Sequence, residues 1–483
     1  MKRRMQALLL SALLAGNGIA AAEIVREHPD EHLAANVAEV VAKINDGDPA
    51  RLERFVRERY GDAMFRGNSV EGNATFLKSV HDHKSPLELC CYQLSDRIPE
   101  NMAVAVLHAT ARDTWSSLQV QFDETDKIIS FMIVPSKPPV GFADLAKLDK
   151  AGLAREFDAY LTELATNDEF AGVVLVARDG KPLFTKAYGL ANREHGVPNR
   201  METRFRLGSM NKMFTSVAIA QLAEQGKLSL DDAIGEHLPP GWIDPKIGKQ
   251  VRIRQLLNHT SGLGDYLQPV LEQALYKFSE LEDYKEIVAS STLAFDPGSQ
   301  WAYSNTGFLL LGVIVANVSD MGYYEYVRRN IYGPAGMKSS DHYDHTRPTP
   351  GLADGYWTYE GELRKNTLLL APRGTSAGGG YSTAEDLLAF DTALRSSKLL
   401  SDKMRERLFT PDPERNSPTY GYGFMIGGLA PDREVGHGGS FPGMSTRLSM
   451  FLDSGYTFVA LCNGAGARAA YNKALALIER AKQ

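Results

Sequence analysis

A chain of 483 residues is longer than one ordinary domain of about 100–200 residues, and 43% hydrophobic with 23% charged residues describes a folded globular protein, not a disordered or membrane-embedded one. The net charge of -6 excludes the clustered basic excess that a nucleic-acid surface requires. Three cysteines are too few for a disulfide scaffold.

The chain opens with Lys2, Arg3 and Arg4, an apolar run over 7–15 and small residues ending Ala20-Ala21-Ala22 before Glu23. That three-part pattern predicts a signal peptide over 1–22 and a secreted or periplasmic mature protein. The run is too short to span a bilayer, so no integral membrane segment is expected after its removal.

Residues 23–135 read as a small α+β domain. Leu33, Val37, Val40, Val41 and Ile44 recur at helical spacing. Asp46-Gly47-Asp48-Pro49 stops that helix and starts another, with Asp48 as N-cap and Pro49 first. Strand-like runs follow at 87–94, 102–110, 116–122 and 128–134, with Leu118, Val120 and Phe122 alternating. This order of elements resembles the curved-sheet domains of the NTF2-like family. Cys90, Cys91 and Cys462 lie in strands and read as small hydrophobes, since adjacent cysteines bridge poorly. His81 and His83 match no closed metal-ligand spacing, and no metal or cofactor is expected.

Ser136-Lys137-Pro138-Pro139-Val140-Gly141 has linker composition, which sets a linker at 136–147 and a larger domain at 148–483. A helix is predicted over 148–164. Strands at 173–177 and 182–187 flank Asp179-Gly180, and strands at 446–452 and 457–462 flank Asp453-Ser454-Gly455. One sheet could collect both hairpins, with a mostly helical region over 201–410 between them and a last helix over 467–482.

Three groups of residues carry chemistry. Ser209-Met210-Asn211-Lys212 precedes Met213, Phe214, Val217, Ala218 and Leu222 at helical spacing, up to a stop at Gly226. A serine hydroxyl needs a base within hydrogen-bond reach. Lys212, one turn away, can be that base if burial lowers its ordinary pKa of about 10.4. The helix start supplies N–H groups for an oxyanion. Tyr303-Ser304-Asn305 offers a phenol to shuttle a proton and an amide to hold a carbonyl, although alone it also reads as a capped helix start. His437-Gly438-Gly439-Ser440 precedes the last hairpin and lets a backbone approach a ligand closely; alone it also reads as a glycine-rich turn.

In this order the three groups resemble the serine β-lactamases and penicillin-binding hydrolases, most closely the branch of class C β-lactamases, D-alanyl-D-alanine carboxypeptidase-like enzymes and related esterases. Leu256-Leu257-Asn258-His259-Thr260-Ser261-Gly262-Leu263, Phe295-Asp296-Pro297-Gly298 and Ala377-Gly378-Gly379-Gly380 strengthen the likeness, which runs from about Phe157 to the C-terminus. The resemblance implies an antiparallel sheet flanked by helices, an all-α region beside it and an active site at their junction. It implies a serine hydrolase working through an acyl-enzyme, with Ser209 as nucleophile, Lys212 as base partner and Tyr303 as proton donor to the leaving group. Asn305, His437, Gly439 and Ser440 would bind substrate, and the N–H groups of Ser209 and Ser440 would form the oxyanion hole. Either Lys212 or Tyr303 could take the first proton.

Many relatives carry Lys-Thr-Gly where this chain has His437-Gly438-Gly439, so an ammonium and a hydroxyl that would hold a substrate carboxylate are missing. A small ester, a D-amino-acid peptide and a β-lactam-like substrate all stay open. The rival reading is a non-catalytic receptor or sensor that keeps the fold. The partner implied is a small-molecule or peptide substrate, with no oligomeric state specified.

Overall fold

The computed structural model describes residues 23–65, 68–94, 98–139, 147–411, 419–427 and 432–482. The signal peptide expected at 1–22 and most of the expected linker lie outside them.

Strand β1 (Glu23–Val25) is followed by α1 (Glu31–Asp46), α2 (Pro49–Arg59) and α3 (Val70–Lys84). Asp30 caps α1 through its side chain, and Gly47 closes it in the left-handed conformation at φ 67°. Asp48 caps α2 with Pro49 first, as the sequence predicts. The third helix and β1 escaped the sequence reading. The buried face of α3 is narrow (Asn73, Ala74, Leu77 and Val80), and Gly72 and Asn73 interrupt its apolar pattern. Strands β2 (Leu87–Leu94), β3 (Met102–Ala109), β4 (Thr114–Phe122) and β5 (Ile128–Pro135) join β1 in an antiparallel sheet ordered β1-β2-β3-β4-β5. Its core packs Val37, Ile44, Leu77 and neighbours against Ala105, Leu118 and Val120. Cys91 is buried and Cys90 half-buried; neither they nor Cys462 form a disulfide. The Nδ1 atoms of His81 and His83 bind the carbonyls of Ile44 and Ser79 at 2.8 and 2.7 Å.

Among the described residues, 23–160 with 472–482 form one compact unit and 161–471 form another. Helix α4 (Lys150–Thr166) leads into the second, where β6 (Gly172–Arg178) and β7 (Lys181–Tyr188) form the first predicted hairpin. Its turn places Asp179 at φ 51° and Gly180 at φ 71°, two left-handed residues whose twist matches that of the strands.

Short strands β8 (Leu190–Asn192) and β9 (Val197–Pro198) pair with each other. Next come β10 (Phe205–Arg206), helix α5 (Lys212–Glu224), helix α6 (Asn305–Ser319), β11 (Asp341–His342), the hairpin β12 (Tyr356–Tyr359) with β13 (Glu362–Lys365), β14 (Gly380–Ser382) and helix α7 (Ala384–Arg395). The region predicted as mostly helical thus also holds a small sheet, β10-β14-β11. Strands β15 (Met425–Gly427), β16 (Glu434–Phe441), β17 (Met444–Phe451) and β18 (Tyr456–Cys462) precede the last helix, α8 (Ala467–Lys482).

The main sheet runs β15-β16-β17-β18-β6-β7 with every pair antiparallel. Strand β18 joins β6 from Tyr456↔Arg178 to Cys462↔Gly172, so the two predicted hairpins share one sheet. Helix α5 is buried on every side from Lys212 to Ala220. Its apolar residues cover most of its surface, as suits a helix inside a core. It ends where Gly226, at φ 68°, donates to Ala223 O while Lys227 donates to Leu222 O. Among the described residues no single helix is long and apolar enough to cross a membrane.

Candidate active site

A single 3₁₀ turn, Gly208–Asn211, carries Ser209 into the start of α5. Leu207 N–H donates to Gly380 O at 2.8 Å, and Gly208 turns the chain at φ 55°. The buried Asn211 pins the turn from below: its Nδ2 contacts the carbonyls of Thr375 and Ser376, each at 3.2 Å, and the Tyr323 hydroxyl at 3.3 Å. Ser209 itself stays partly open to solvent.

Lys212 is fully buried. Its Nζ lies 2.7 Å from Asn305 Oδ1, 2.7 Å from Ala377 O and 3.3 Å from Ser209 Oγ. The rings of Tyr303 and Phe308 stand 4.8 and 5.4 Å from it. Burial lowers its pKa to about 7, against a smaller upward pull from Asp265. A neutral amine has two hydrogens and one lone pair. Asn305 Oδ1 and Ala377 O can only accept, so they take the two hydrogens and leave the lone pair for the Ser209 hydroxyl. The arrangement can therefore draw a proton from Ser209 near neutral pH.

Tyr303 reaches this pair from a loop. Ser304 caps α6: its Oγ accepts from Gly307 N–H at 3.1 Å and donates to Gly264 O at 2.7 Å. Burial pushes the Tyr303 phenol above its ordinary range, and a side-chain hydrogen bond to Ser209 opposes that rise. The phenol is thus protonated at neutral pH and equipped to donate. Asn305 is oriented at both ends of its amide, with Oδ1 on Lys212 and Nδ2 on Asp265 Oδ2 at 2.8 Å. Its second N–H hydrogen stays available for a substrate carbonyl.

The edge of β16 closes the site. An added Cβ on Gly439 would stand 1.9 Å from Leu207 O, and one on Gly208 would stand 3.4 Å from Ser440 N, so the strand runs flush against the turn that carries Ser209. Thr446 Oγ1 ties the two together through Leu207 O at 2.8 Å. Ser440 N thereby lies at the same corner as the turn that carries Ser209.

His437 occupies a different place from a solvent-facing substrate hook. Its side chain is fully buried, with Nδ1 2.5 Å from Gly438 O and Nε2 2.8 Å from the Tyr420 hydroxyl. The carbonyl can only accept, so Nδ1 carries the proton and Tyr420 donates to Nε2. Burial first, then the nearby Lys212, lowers the His437 pKa to about 3. It is neutral and cannot replace an ammonium.

The structure therefore gathers Ser209, Lys212, Tyr303, Asn305, Gly439 and Ser440 around one corner and sets His437 behind it. Sequence reasoning gave no role to His259, Asp265 and Tyr420. His259 lies in a segment whose likeness to the family was visible, but nothing in its spacing tied it to Tyr303. Asp265 contacts Asn305 from 40 positions away.

The beta-lactamase family model matches residues 157–481. The chain is 32% identical over 319 residues to penicillin-binding protein 4* of Bacillus subtilis (strain 168), covering 62% of this chain and 69% of that protein. It is 29% identical over 334 residues to esterase EstB of Burkholderia gladioli, covering 61% of this chain and 83% of that protein. A solved penicillin-binding protein from Bacillus halodurans aligns with a TM-score of 0.59 at 31% identity, over 65% of this chain and 97% of that one. With the match at 157–481 spanning the sheet and the helical region, the chain belongs to the beta-lactamase family, as a serine hydrolase of the kind that includes penicillin-binding proteins and esterases.

Proposed function

We propose that the protein is exported and cleaves a small ester or a D-amino-acid amide through an acyl-enzyme on Ser209, with only weak turnover of β-lactams. Lys212 takes the Ser209 proton as Oγ attacks the substrate carbonyl. The N–H groups of Ser209 and Ser440 hold the oxyanion. Tyr303 protonates the leaving group and then assists the water that releases the acyl group, while the free Asn305 N–H orients the substrate carbonyl side.

One observation carries this reading: a buried lysine of pKa about 7 whose other two partners are both acceptors, 3.3 Å from a serine hydroxyl. Tyr303 is the weaker candidate for the first proton, because burial favours its protonated form. The preference for esters and amides without an essential carboxylate rests on His437, which is neutral and enclosed.

The test is a panel of nitrocefin, a D-Ala-D-Ala peptide, D-amino-acid amides and short-chain nitrophenyl esters against wild type and Ser209→Ala, with fluorophosphonate labelling of both. Ester or amide turnover and Ser209-dependent labelling are expected. Rapid nitrocefin turnover overturns the substrate order, and undiminished labelling of Ser209→Ala overturns the nucleophile.

A further inference from the structure

His259 sits in the left-handed backbone conformation at φ 63°, with its side chain fully buried. It holds the loop on both sides of Tyr303. Its carbonyl accepts from Ala302 N–H at 2.9 Å, and its Nδ1 accepts from Ser304 N–H at 3.1 Å. A backbone N–H can only donate, so Nδ1 is unprotonated and the ring is the Nε2–H tautomer. Burial, Lys212 and His437 all disfavour its charged form, in keeping with Nδ1 as the acceptor from Ser304 N–H.

The ring lies 4.2 Å from the Tyr303 ring, tilted by 35°, and 4.6 Å from that of Tyr420. Neighbouring backbone contacts continue the clamp: Gly298 N–H donates to Thr260 O at 2.7 Å and Ala294 N–H to Gly262 O at 2.8 Å. Tyr303 is therefore bracketed by one residue that grips the main chain before and after it and packs on its ring.

We propose that His259 is the positioning residue for Tyr303, holding the phenol where it can deliver a proton to the leaving group. This rests on the reading of Tyr303 as proton donor. His259 touches no reacting atom; it acts through the loop.

The test compares acylation by two substrates in single-turnover experiments. A nitrophenyl ester expels a stable anion and needs little protonation, whereas an amide or alkyl ester needs a proton on its leaving group. In His259→Phe the ring packing remains but the acceptor for Ser304 N–H is lost. Amide acylation should fall about 100-fold, the scale of a general acid's contribution, while the nitrophenyl burst changes by less than about threefold. His259→Asn keeps an acceptor near the Nδ1 position and tolerates positive φ; it should restore amide acylation to within about fivefold of wild type.

Equal losses on both substrates, or none, in folded His259→Phe overturn the proposal. If that variant fails to fold, a folded His259→Asn that loses amide acylation as severely as Tyr303→Phe does so instead. Tyr303→Phe separates the two levels. A leaving-group-selective loss there but not in His259→Phe overturns the positioning role alone, and no such loss in Tyr303→Phe overturns both.

Discussion

Asp265 Oδ2 accepts two hydrogen bonds from Asn305, one from the side-chain Nδ2 at 2.8 Å and one from the main-chain N–H at 3.1 Å. Its other oxygen accepts from Leu267 N–H at 2.9 Å. One exposed carboxylate thus sets the amide whose far end touches Lys212, and its charge favours the ammonium form of that lysine.

Removing the charge should make Lys212 easier to deprotonate. In Asp265→Asn an oxygen remains for Asn305, and the acidic limb of kcat/KM for a neutral ester should move to lower pH by a few tenths of a unit. A limb that moves upward, or an unchanged limb with lost activity, would show that Asp265 acts through geometry alone.

The wild-type limb itself follows from Lys212. If the neutral amine is the base, kcat/KM for an uncharged ester rises with pH through about 7 and then levels. Lys212→Ala should lower it at least about 1,000-fold at all pH values. The same shift links to stability. Between about pH 7 and 10.5 the unfolded chain holds a proton on Lys212 that the folded chain has released, so this residue's contribution to stability increases with pH across that window. Thermal melts of wild type and Lys212→Ala at several pH values should diverge with that sign.

His437 predicts what the enzyme ignores. With its pKa near 3 it stays neutral above pH 5, so a peptide ending in a free carboxylate should gain less than about threefold in kcat/KM over the same peptide ending in an amide. A preference of 100-fold or more for the carboxylate would require a cation elsewhere in the site.

Gly439 and Gly438 make a paired test of the strand's approach. A Cβ at 439 meets Leu207 O at 1.9 Å, while one at 438 meets Thr446 O at 3.3 Å. Gly439→Ala should push β16 from the nucleophile turn, lowering kcat about 100-fold as an oxyanion donor is displaced. Gly438→Ala should retain activity within about tenfold. Steady-state kinetics on both, beside their melting temperatures, check the contrast.

Much of this site was legible because its local signals are strong. Ser209 and Lys212 lie one turn apart, and Asp179-Gly180 specifies a hairpin by its backbone conformation alone. Tyr303-Ser304-Asn305 supported two readings: the structure shows the cap, with Ser304 at the start of α6, and it places Asn305 and Tyr303 beside Lys212, the arrangement the chemical reading requires. The residues that escaped are those whose meaning lies in distant contacts. His259 looks like any histidine until folding brings Ser304 N–H to its Nδ1. His437 was legible as a departure from Lys-Thr-Gly, but its burial against Tyr420 depends on a loop 17 positions away. Helix α3 was missed because three apolar residues around a Gly-Asn pair make a weak period.

The pairing of β18 with β6 has a consequence for how the molecule comes into being. Arg178 and Tyr456 are sheet neighbours although most of this unit's residues lie between them in the sequence. Contacts of that separation form late, because the intervening chain must first be ordered. A chain emerging stepwise from a ribosome or a translocation pore would present β6, β7 and the serine long before β16 arrives to complete the corner. Until β16 arrives, the turn that carries Ser209 lacks the strand edge that runs flush against it, so the corner around Ser209 is among the last parts of this unit to be completed.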